Sequence, residues 1–128
     1  MRIALGIHTL NPASGGVVSA VLELGAALQA RGHTVTVLTC DAPGAPFLSA
    51  LHLPVVALGP RVNRHGAVKD VGGKLSGNSF DVLILNGLWL WATAGLAAWA
   101  RQNKIPYLLY PHGMLDPYFA RAHPLKHL

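Results

Sequence analysis

The residues of this chain whose types and spacing are best suited to chemistry lie at positions 110–117, which read YPHGMLDP. The imidazole of His112 can donate or accept a hydrogen bond near neutral pH, and Gly113 beside it permits a sharp backbone turn. An aspartate followed by a proline, as at 116 and 117, is typical of a helix start. The apolar run before the turn, residues 106–110, predicts a short buried strand. His112 should therefore lie between a strand end and a helix start, where open α/β sheets bind ligands.

Two further polar residues follow predicted strands. His8 comes after the apolar run at 2–7, and Asn86 comes after the run at 80–85. The carboxyl ends of parallel strands meet at one edge of a sheet, so we expect His8, Asn86 and His112 to lie along the same edge. For His8 taken alone, a solvated loop residue or a hydrogen-bonded core residue is the favoured interpretation.

A glycine pair, Gly15 and Gly16, lies in the loop between the first predicted strand and the first predicted helix. Free backbone N–H groups at a helix start can bind a phosphate or a carboxylate, and glycine permits a close approach. An ordinary loop-to-helix entry explains the pair equally well. The glycines come too late and at the wrong spacing for a dinucleotide fingerprint.

Several site classes are missing from the sequence. It has no G-x-S-x-G nucleophile elbow and no G-x-x-x-x-G-K-[ST] phosphate loop, which argues against hydrolases and P-loop enzymes. His123 and His127 are four apart, but Pro124 interrupts a helix that would align them, and no Cys or acidic ligand accompanies them at useful spacing. We predict neither a metal nor a cofactor.

Composition predicts a soluble α/β domain. Hydrophobic residues make up 52% of the 128 positions and charged residues 12%, which argues against disorder and favours strands covered on both faces. The net charge of +5 suits an anionic partner such as a nucleotide diphosphate or a lipid surface, but it is too diffuse to indicate nucleic acid. The single cysteine, Cys40, and the absence of a secretory signal at the N-terminus favour the cytoplasm.

One segment supports a different interpretation. Residues 82–100 carry no formal charge and include Trp89, Trp91 and Trp99, so on their own they are a candidate membrane span. The favoured interpretation is a buried strand, a turn at Asn86-Gly87 and a packed helix, since short apolar runs occur in both settings.

The order of predicted elements indicates a doubly wound parallel sheet. The predicted strands are residues 2–7, 34–40, 54–58, 80–85 and 106–110. The predicted helices are residues 17–31 and 88–102, with Ser14 as the cap of the first, a helical turn near 47–51 and a weak helix within 59–79. We therefore predict a single Rossmann-like domain of about five parallel strands.

Three stretches together resemble the amino-terminal half of glycosyltransferase family four, the retaining two-domain GT-B enzymes. They are MRIA leading to Gly15-Gly16-Val17, FDVLILNGLW at 80–89, and Pro106-Tyr107 through PHGMLDP at 111–117. The last stretch is the most specific, and the resemblance covers essentially the whole chain. One departure is Asn86, since the fourth strand often ends in histidine in the family.

The resemblance implies a transferase that moves a sugar from a nucleotide-sugar donor to a glycan or lipid-linked acceptor. It places Gly15 and Gly16 near the donor diphosphate, and it brings His112 to the donor sugar as an orienting group. Asn86 would lie at the substrate. Peripheral contact with the inner face of a membrane is compatible with this function.

The resemblance also implies that residues 1–128 are the N-terminal Rossmann-like domain, with the C-terminal donor-binding domain and its paired glutamates absent from this chain. We expect such a chain to be inactive alone, as a fragment of a longer enzyme or the product of a truncated reading frame. The alternative is a non-catalytic Rossmann-like binding or partner module.

Overall fold

The computed structural model describes residues 1–87 and 90–110. Its strands are β1 (Arg2–Ile7), β2 (Thr34–Thr39), β3 (Val55–Ala57), β4 (Val82–Asn86) and β5 (Tyr107–Tyr110). Its α-helices are α1 (Gly16–Ala30), α2 (Val71–Lys74) and α3 (Trp91–Gln102), and two short 3₁₀ turns span Pro12–Ser14 and Pro46–Ala50.

All five strands are parallel, in the order β3-β2-β1-β4-β5. The chain thus winds outward from β1 in one direction and then returns to extend the sheet in the other. This confirms the predicted Rossmann-like α/β fold, and the strand order reverses between β1 and β4. Ligands of such sheets bind outside the carboxyl ends of the strands at that reversal.

Alternate residues of β1 lie on opposite faces of the sheet. Ile3, Leu5 and Ile7 pack in the cluster that contains residues of α1, whereas Ala4 packs in the cluster that contains residues of α3. A side chain on Gly6 would meet the Leu96 Cδ1 of α3 at 2.9 Å, so the glycine allows α3 to lie close to the sheet. The two helices therefore cover opposite faces next to the reversal point.

The apolar segment 82–100 is divided between β4 and α3, as the favoured interpretation predicted. Within residues 1–87 and 90–110, no helix has the length and apolar character needed to cross a membrane. Helix α3 begins at Trp91, after Leu90 in an extended conformation, rather than at the predicted position 88.

Helix α1 ends as its sequence predicts. Gly32 follows the helix with φ +90°, and the N–H groups of Gly32 and His33 donate to the carbonyls of Gln29 and Leu28. A glycine in this conformation satisfies carbonyls that a helix otherwise leaves without partners. The chain then passes directly into β2.

Candidate functional site

Polar side chains at or after the ends of four strands lie at the carboxyl edge of the sheet. His8 follows β1, Asp41 follows β2, Arg61 follows β3, and Asn86 is the last residue of β4. A hydrogen bond and an ion pair, both made by Arg61, join the first three, and His8 and Asn86 line one cavity.

Asp41 anchors the loop that follows β1. Its carboxylate, 1% exposed, accepts hydrogen bonds from the Thr9 hydroxyl at 2.6 Å, the Leu10 N–H at 2.8 Å and the Thr39 hydroxyl at 2.7 Å. Hydrogen bonds to a charged group are stronger than those between neutral groups. The buried carboxylate accepts three of them from the protein in place of hydrogen bonds from water. Asp41 thus ties the connections after β1 and β2 together from one buried point.

Arg61 links the connection after β3 to the same anchor. Its Nη1 lies 2.9 Å from the Nε2 of His8, and its Nη2 lies 3.7 Å from the Oδ1 of Asp41. Because a guanidinium can only donate, Nε2 of His8 must accept, and the ring proton must reside on Nδ1. The contact therefore selects a neutral imidazole with a defined tautomer.

The surroundings of His8 also favour the neutral ring. Burial lowers the pKa of His8 from its usual 6.5, the Arg61 guanidinium lowers that pKa further, and the Asp41 carboxylate acts in the opposite direction. Nδ1 is buried and has no hydrogen-bond partner among the described residues. With Nε2 engaged by Arg61, His8 has no lone pair with which to act as a general base in this conformation.

A hairpin-like turn covers His8. Arg61 pairs with Val68 across it, the Val62 N–H donates to the Ala67 carbonyl at 2.8 Å, and Gly66 at its tip has φ +82°. A side chain on Gly66 would approach the Nδ1 of His8 to 2.7 Å, so only glycine suits both this backbone conformation and this contact. The turn therefore closes one side of the imidazole.

The first turn of α1 has no side-chain cap. Its N-cap is Gly15, with φ +85° and ψ −145°, rather than the predicted Ser14. The Asn11 side chain instead accepts from the Ala13 N–H and begins the 3₁₀ turn. Nothing lies within 4 Å of a side chain added to Gly15 or to Gly16. Among the described residues no side chain caps the first N–H groups of α1, and a helix start carries a partial positive charge of about half an elementary unit.

Beside this helix start is a cavity of about 200 Å³. Ile7, His8 and Thr9 line it from the end of β1, and Asn86 and Gly87 line it from the end of β4. Ser14, Val17, Val18 and Leu90 complete the described lining. Its wall is thus mostly apolar, with a few polar groups from the strand ends.

Asn86 is 6% exposed and holds two carbonyls of the sheet. Its amide donates to the Gly6 carbonyl at 3.1 Å and to the Ile84 carbonyl at 3.2 Å. Both amide hydrogens are thereby used within the protein.

The structure brings together part of the predicted site. Asn86 and the residues flanking the glycine pair, Ser14 and Val17, line the same cavity. His112 lies outside the described residues, but Tyr110, two positions before it, pairs with Asn86 across β4 and β5. His123 and His127 also lie outside them. Within residues 1–87 and 90–110, no three His, Cys, Asp or Glu side chains are grouped as metal ligands.

Sequence reasoning missed the contact of Arg61 with His8 and the degree of burial of Asp41. No local pattern in the sequence marks Arg61 for this contact. The only signal for the role of Asp41 is its position after a threonine-rich strand. A carboxylate there can accept hydrogen bonds from hydroxyls on its own strand and on the next loop.

Comparison with known proteins supports the same type of domain. The family model described as a glycosyl transferase 4-like domain matches residues 15–128, a range that includes Gly15, Gly16, Asn86 and His112. No curated protein and no solved structure gave a significant match. Since the family model spans nearly all of the chain, the chain belongs to the glycosyl transferase 4-like family, whose function requires a sugar donor and an acceptor.

Proposed function

We propose that this domain is the N-terminal, acceptor-side half of a retaining GT-B glycosyltransferase. It would transfer sugar from a nucleotide-sugar donor to a glycan or lipid-linked acceptor, with a second, donor-binding domain facing the carboxyl edge of its sheet. The observation that carries the proposal is the uncapped start of α1, with Gly15 and Gly16 in open space beside the cavity.

The uncapped helix start suits the leaving group of this reaction. Transfer from a nucleotide sugar places growing negative charge on the departing diphosphate, in a transition state with oxocarbenium character on the sugar. Fixed N–H donors aimed at a developing anion stabilise the transition state because they need no reorganisation during the reaction. Gly15 and Gly16 leave room for the diphosphate to reach those donors.

The cavity suits the acceptor side. Asn86 would lie at the substrate as part of the cavity wall, and the neutral His8 would shape that wall without carrying charge. His112, which follows the strand paired with β4, would orient the donor sugar. In this proposal the chain's own residues position both substrates, and no metal or cofactor is required. The cytoplasmic site of action, including contact with the inner membrane face, belongs to the same proposal.

The test begins with the DNA downstream of the Leu128 codon. A reading frame that continues into a second α/β domain supports the two-domain enzyme. An in-frame stop after Leu128 would favour the non-catalytic binding module instead. The protein encoded by the complete frame is then assayed for transfer from a panel of nucleotide sugars, and NMR of the product shows whether the anomeric configuration is retained.

A matched pair of glycine variants tests the helix start in that protein. Gly15→Ala and Gly32→Ala both place a methyl group in open space at a positive-φ position, one before α1 and one after it. We expect Gly15→Ala to lower kcat/KM by about tenfold or more, because its methyl group would hold the diphosphate away from N–H donors of a kind whose loss costs about 10² to 10³ in rate. Gly32→Ala also places an alanine at a positive φ, but away from the site. Equal activity of the two variants would contradict the role of Gly15.

A histidine pair tests the turn at 110–117. We expect His112→Ala to lose most transfer activity, whereas the exposed His52→Ala should retain it. A folded His112→Ala protein with the activity of the unmodified enzyme would remove the proposed role of His112.

A further inference from the structure

A second cavity, of about 540 Å³, lies between α3 and the segment formed by α2 and the turn after it. Five residues of α3 define one side of it, Trp91, Gly95, Ala98, Trp99 and Gln102, at spacings that place them on one face of the helix. From Trp91 to Gln102 the helix rises about 16 Å. We call this cavity the α3 groove. Trp91, the first α3 residue of this groove, directly follows Leu90, which lines the cavity of the candidate site.

Glycines keep the α3 groove open and expose its backbone. A side chain on Gly95 would come within 2.6 Å of Cη2 in the Trp91 indole, so the glycine allows the indole to lie against the helix. On the opposite side, nothing lies within 4 Å of a side chain added to Gly72 or Gly77. The Trp99 ring is held by an edge contact with Phe80, with ring centroids 6.2 Å apart. The aromatic wall is thus fixed before any ligand arrives.

The polar groups of the α3 groove are neutral. Ser76, Asn78 and Gln102 are exposed, and within residues 1–87 and 90–110 their side chains make no hydrogen bond to the protein. None of the described lining residues is charged. Lys74 of α2 is directed elsewhere, because its Nζ donates to the Leu58 carbonyl at 2.6 Å.

This composition selects one class of ligand. A nucleotide or a phospholipid headgroup would need a cation, which the described lining does not provide, although the protein as a whole is basic. An acyl chain would leave the amides and the hydroxyl without partners, at a cost. A neutral saccharide offers hydroxyls for Ser76, Asn78 and Gln102. It also offers an apolar C–H face for the indole of Trp91, which is partly exposed, whereas Trp99 behind it is buried. Amphipathic aromatic rings suit ligands of this mixed character.

We propose that the α3 groove binds a neutral glycan segment, the part of an acceptor that extends away from the transferred sugar; this rests on the glycosyltransferase function proposed above. The groove deepens that function by favouring a glycan acceptor of several units over a small alcohol. Its residues do no chemistry. They hold the acceptor chain so that its reactive end reaches the carboxyl edge.

The test uses the full-length protein on an array of neutral oligosaccharides, with sulfated oligosaccharides and nucleoside diphosphates as the anionic arm. We expect binding to neutral oligosaccharides. In titration with the best array ligand, the double variant N78A/Q102A should bind at least tenfold more weakly, since it loses the hydrogen bonds of both amide side chains to the ligand. Gln29→Ala, at an equally exposed position in the last turn of α1, is the matched control and should bind as the unmodified protein does.

Two results would overturn the proposal. One is the absence of any neutral glycan that distinguishes N78A/Q102A from Q29A, and the other is binding of the anionic ligands alone at this groove. Both substitutions are at exposed positions, and circular dichroism checks that the variants fold. Gly95→Ala provides an independent probe, because it displaces the Trp91 indole without removing a polar group, and it should also weaken binding.

The outcomes for the groove and for the proposed function are separable. Glycan binding without transfer activity would support glycan binding by the α3 groove and contradict the proposed glycosyltransferase function. Transfer to a glycan acceptor with an unchanged acceptor KM in N78A/Q102A would support the glycosyltransferase function and contradict glycan binding by the α3 groove.

Discussion

Arg61 donates from Nη1 to the Nε2 of His8 over 2.9 Å, although the two residues are 53 positions apart in the chain. The contact joins the connection after β3 to the end of β1 and fixes the tautomer of the imidazole. Protonation of His8 would place two cations against each other and remove the acceptor that Arg61 uses. The edge of the sheet should therefore respond to pH.

The first prediction concerns stability at low pH. Because the folded state lowers the pKa of His8, the unfolded chain binds the proton more readily. The part of the folding stability that depends on a neutral His8 is therefore fully present above pH 6.5. It should decline as the pH falls from 6.5 towards the lower folded pKa. Urea titrations between pH 7.5 and 5 should show a smaller loss for His8→Gln than for the unmodified protein. His52→Gln controls for loss of a histidine, and parallel pH profiles for all three proteins would contradict the prediction.

The second prediction concerns the buried anchor. Asp41→Asn keeps the size of the side chain but replaces one accepting oxygen with a donor facing groups that also donate. We expect a loss of about 2 to 4 kcal/mol in the free energy of unfolding, since hydrogen bonds to a buried charge are lost and a donor is left unpaired. Denaturant titration measures it.

Asp81→Asn is the matched control for that substitution. Asp81 accepts from the Arg2 N–H at 2.6 Å, but it is an exposed carboxylate whose ion pair with the Arg2 side chain spans 4.0 Å. Its loss should stay within about 1 kcal/mol. Similar losses at positions 41 and 81 would mean that burial of the Asp41 carboxylate does not determine its contribution.

The third prediction concerns the single thiol. Cys40 is fully buried, and burial raises the pKa of its thiol to about 11, with a smaller raising contribution from Asp41 and an opposing one from Arg61. The thiolate is the reactive form, so a disulfide reagent at pH 8 should label the native protein only as fast as the structure opens. Labelling in denaturant gives the reference rate. Complete labelling of the native protein at that reference rate would refute the prediction.

The fourth prediction concerns the close packing of α3 on the sheet. Gly6→Ala would place a methyl group 2.9 Å from the Leu96 Cδ1 and 3.1 Å from the Leu85 Cδ2. We expect a loss of about 1 to 3 kcal/mol from overpacking, measured by thermal unfolding. Gly44→Ala, which meets nothing within 4 Å, should change stability by about 0.5 kcal/mol or less. An unchanged melting temperature for Gly6→Ala would show that Leu96 moves aside without cost.

The sheet could be predicted from the sequence because its signals are local. The predicted strand at 2–7 coincides with β1, and the predicted strand at 34–40 extends one residue beyond β2. Each is an apolar or β-branched run that ends at a polar residue, so hydrophobic pattern alone determines it. The predicted strand at 80–85 is displaced from β4 by two residues at its start and one at its end, since burial rather than composition sets those limits.

The candidate site was predicted only in outline. From the predicted strand ends and the glycine pair, Asn86 and the start of α1 were correctly expected at one edge of the sheet. The prediction that Ser14 caps α1 is wrong. The contacts of Arg61 and Lys74 depend on how distant connections fold back onto the sheet, and no local pattern encodes that. The roles of Gly15, Gly16, Asn86 and His112 stay predictions for the experiments above.

The Asp41 anchor has an evolutionary consequence. The loop that leads to Gly15 and Gly16 is held by a carboxylate on another strand connection, with hydroxyls at positions 9 and 39 as its donors. A relative that loses the acid would leave those hydroxyls unmatched, and one that loses the hydroxyls would leave a buried charge poorly solvated. Positions 9, 39 and 41 should therefore covary among homologous sequences, as a group inherited or replaced together.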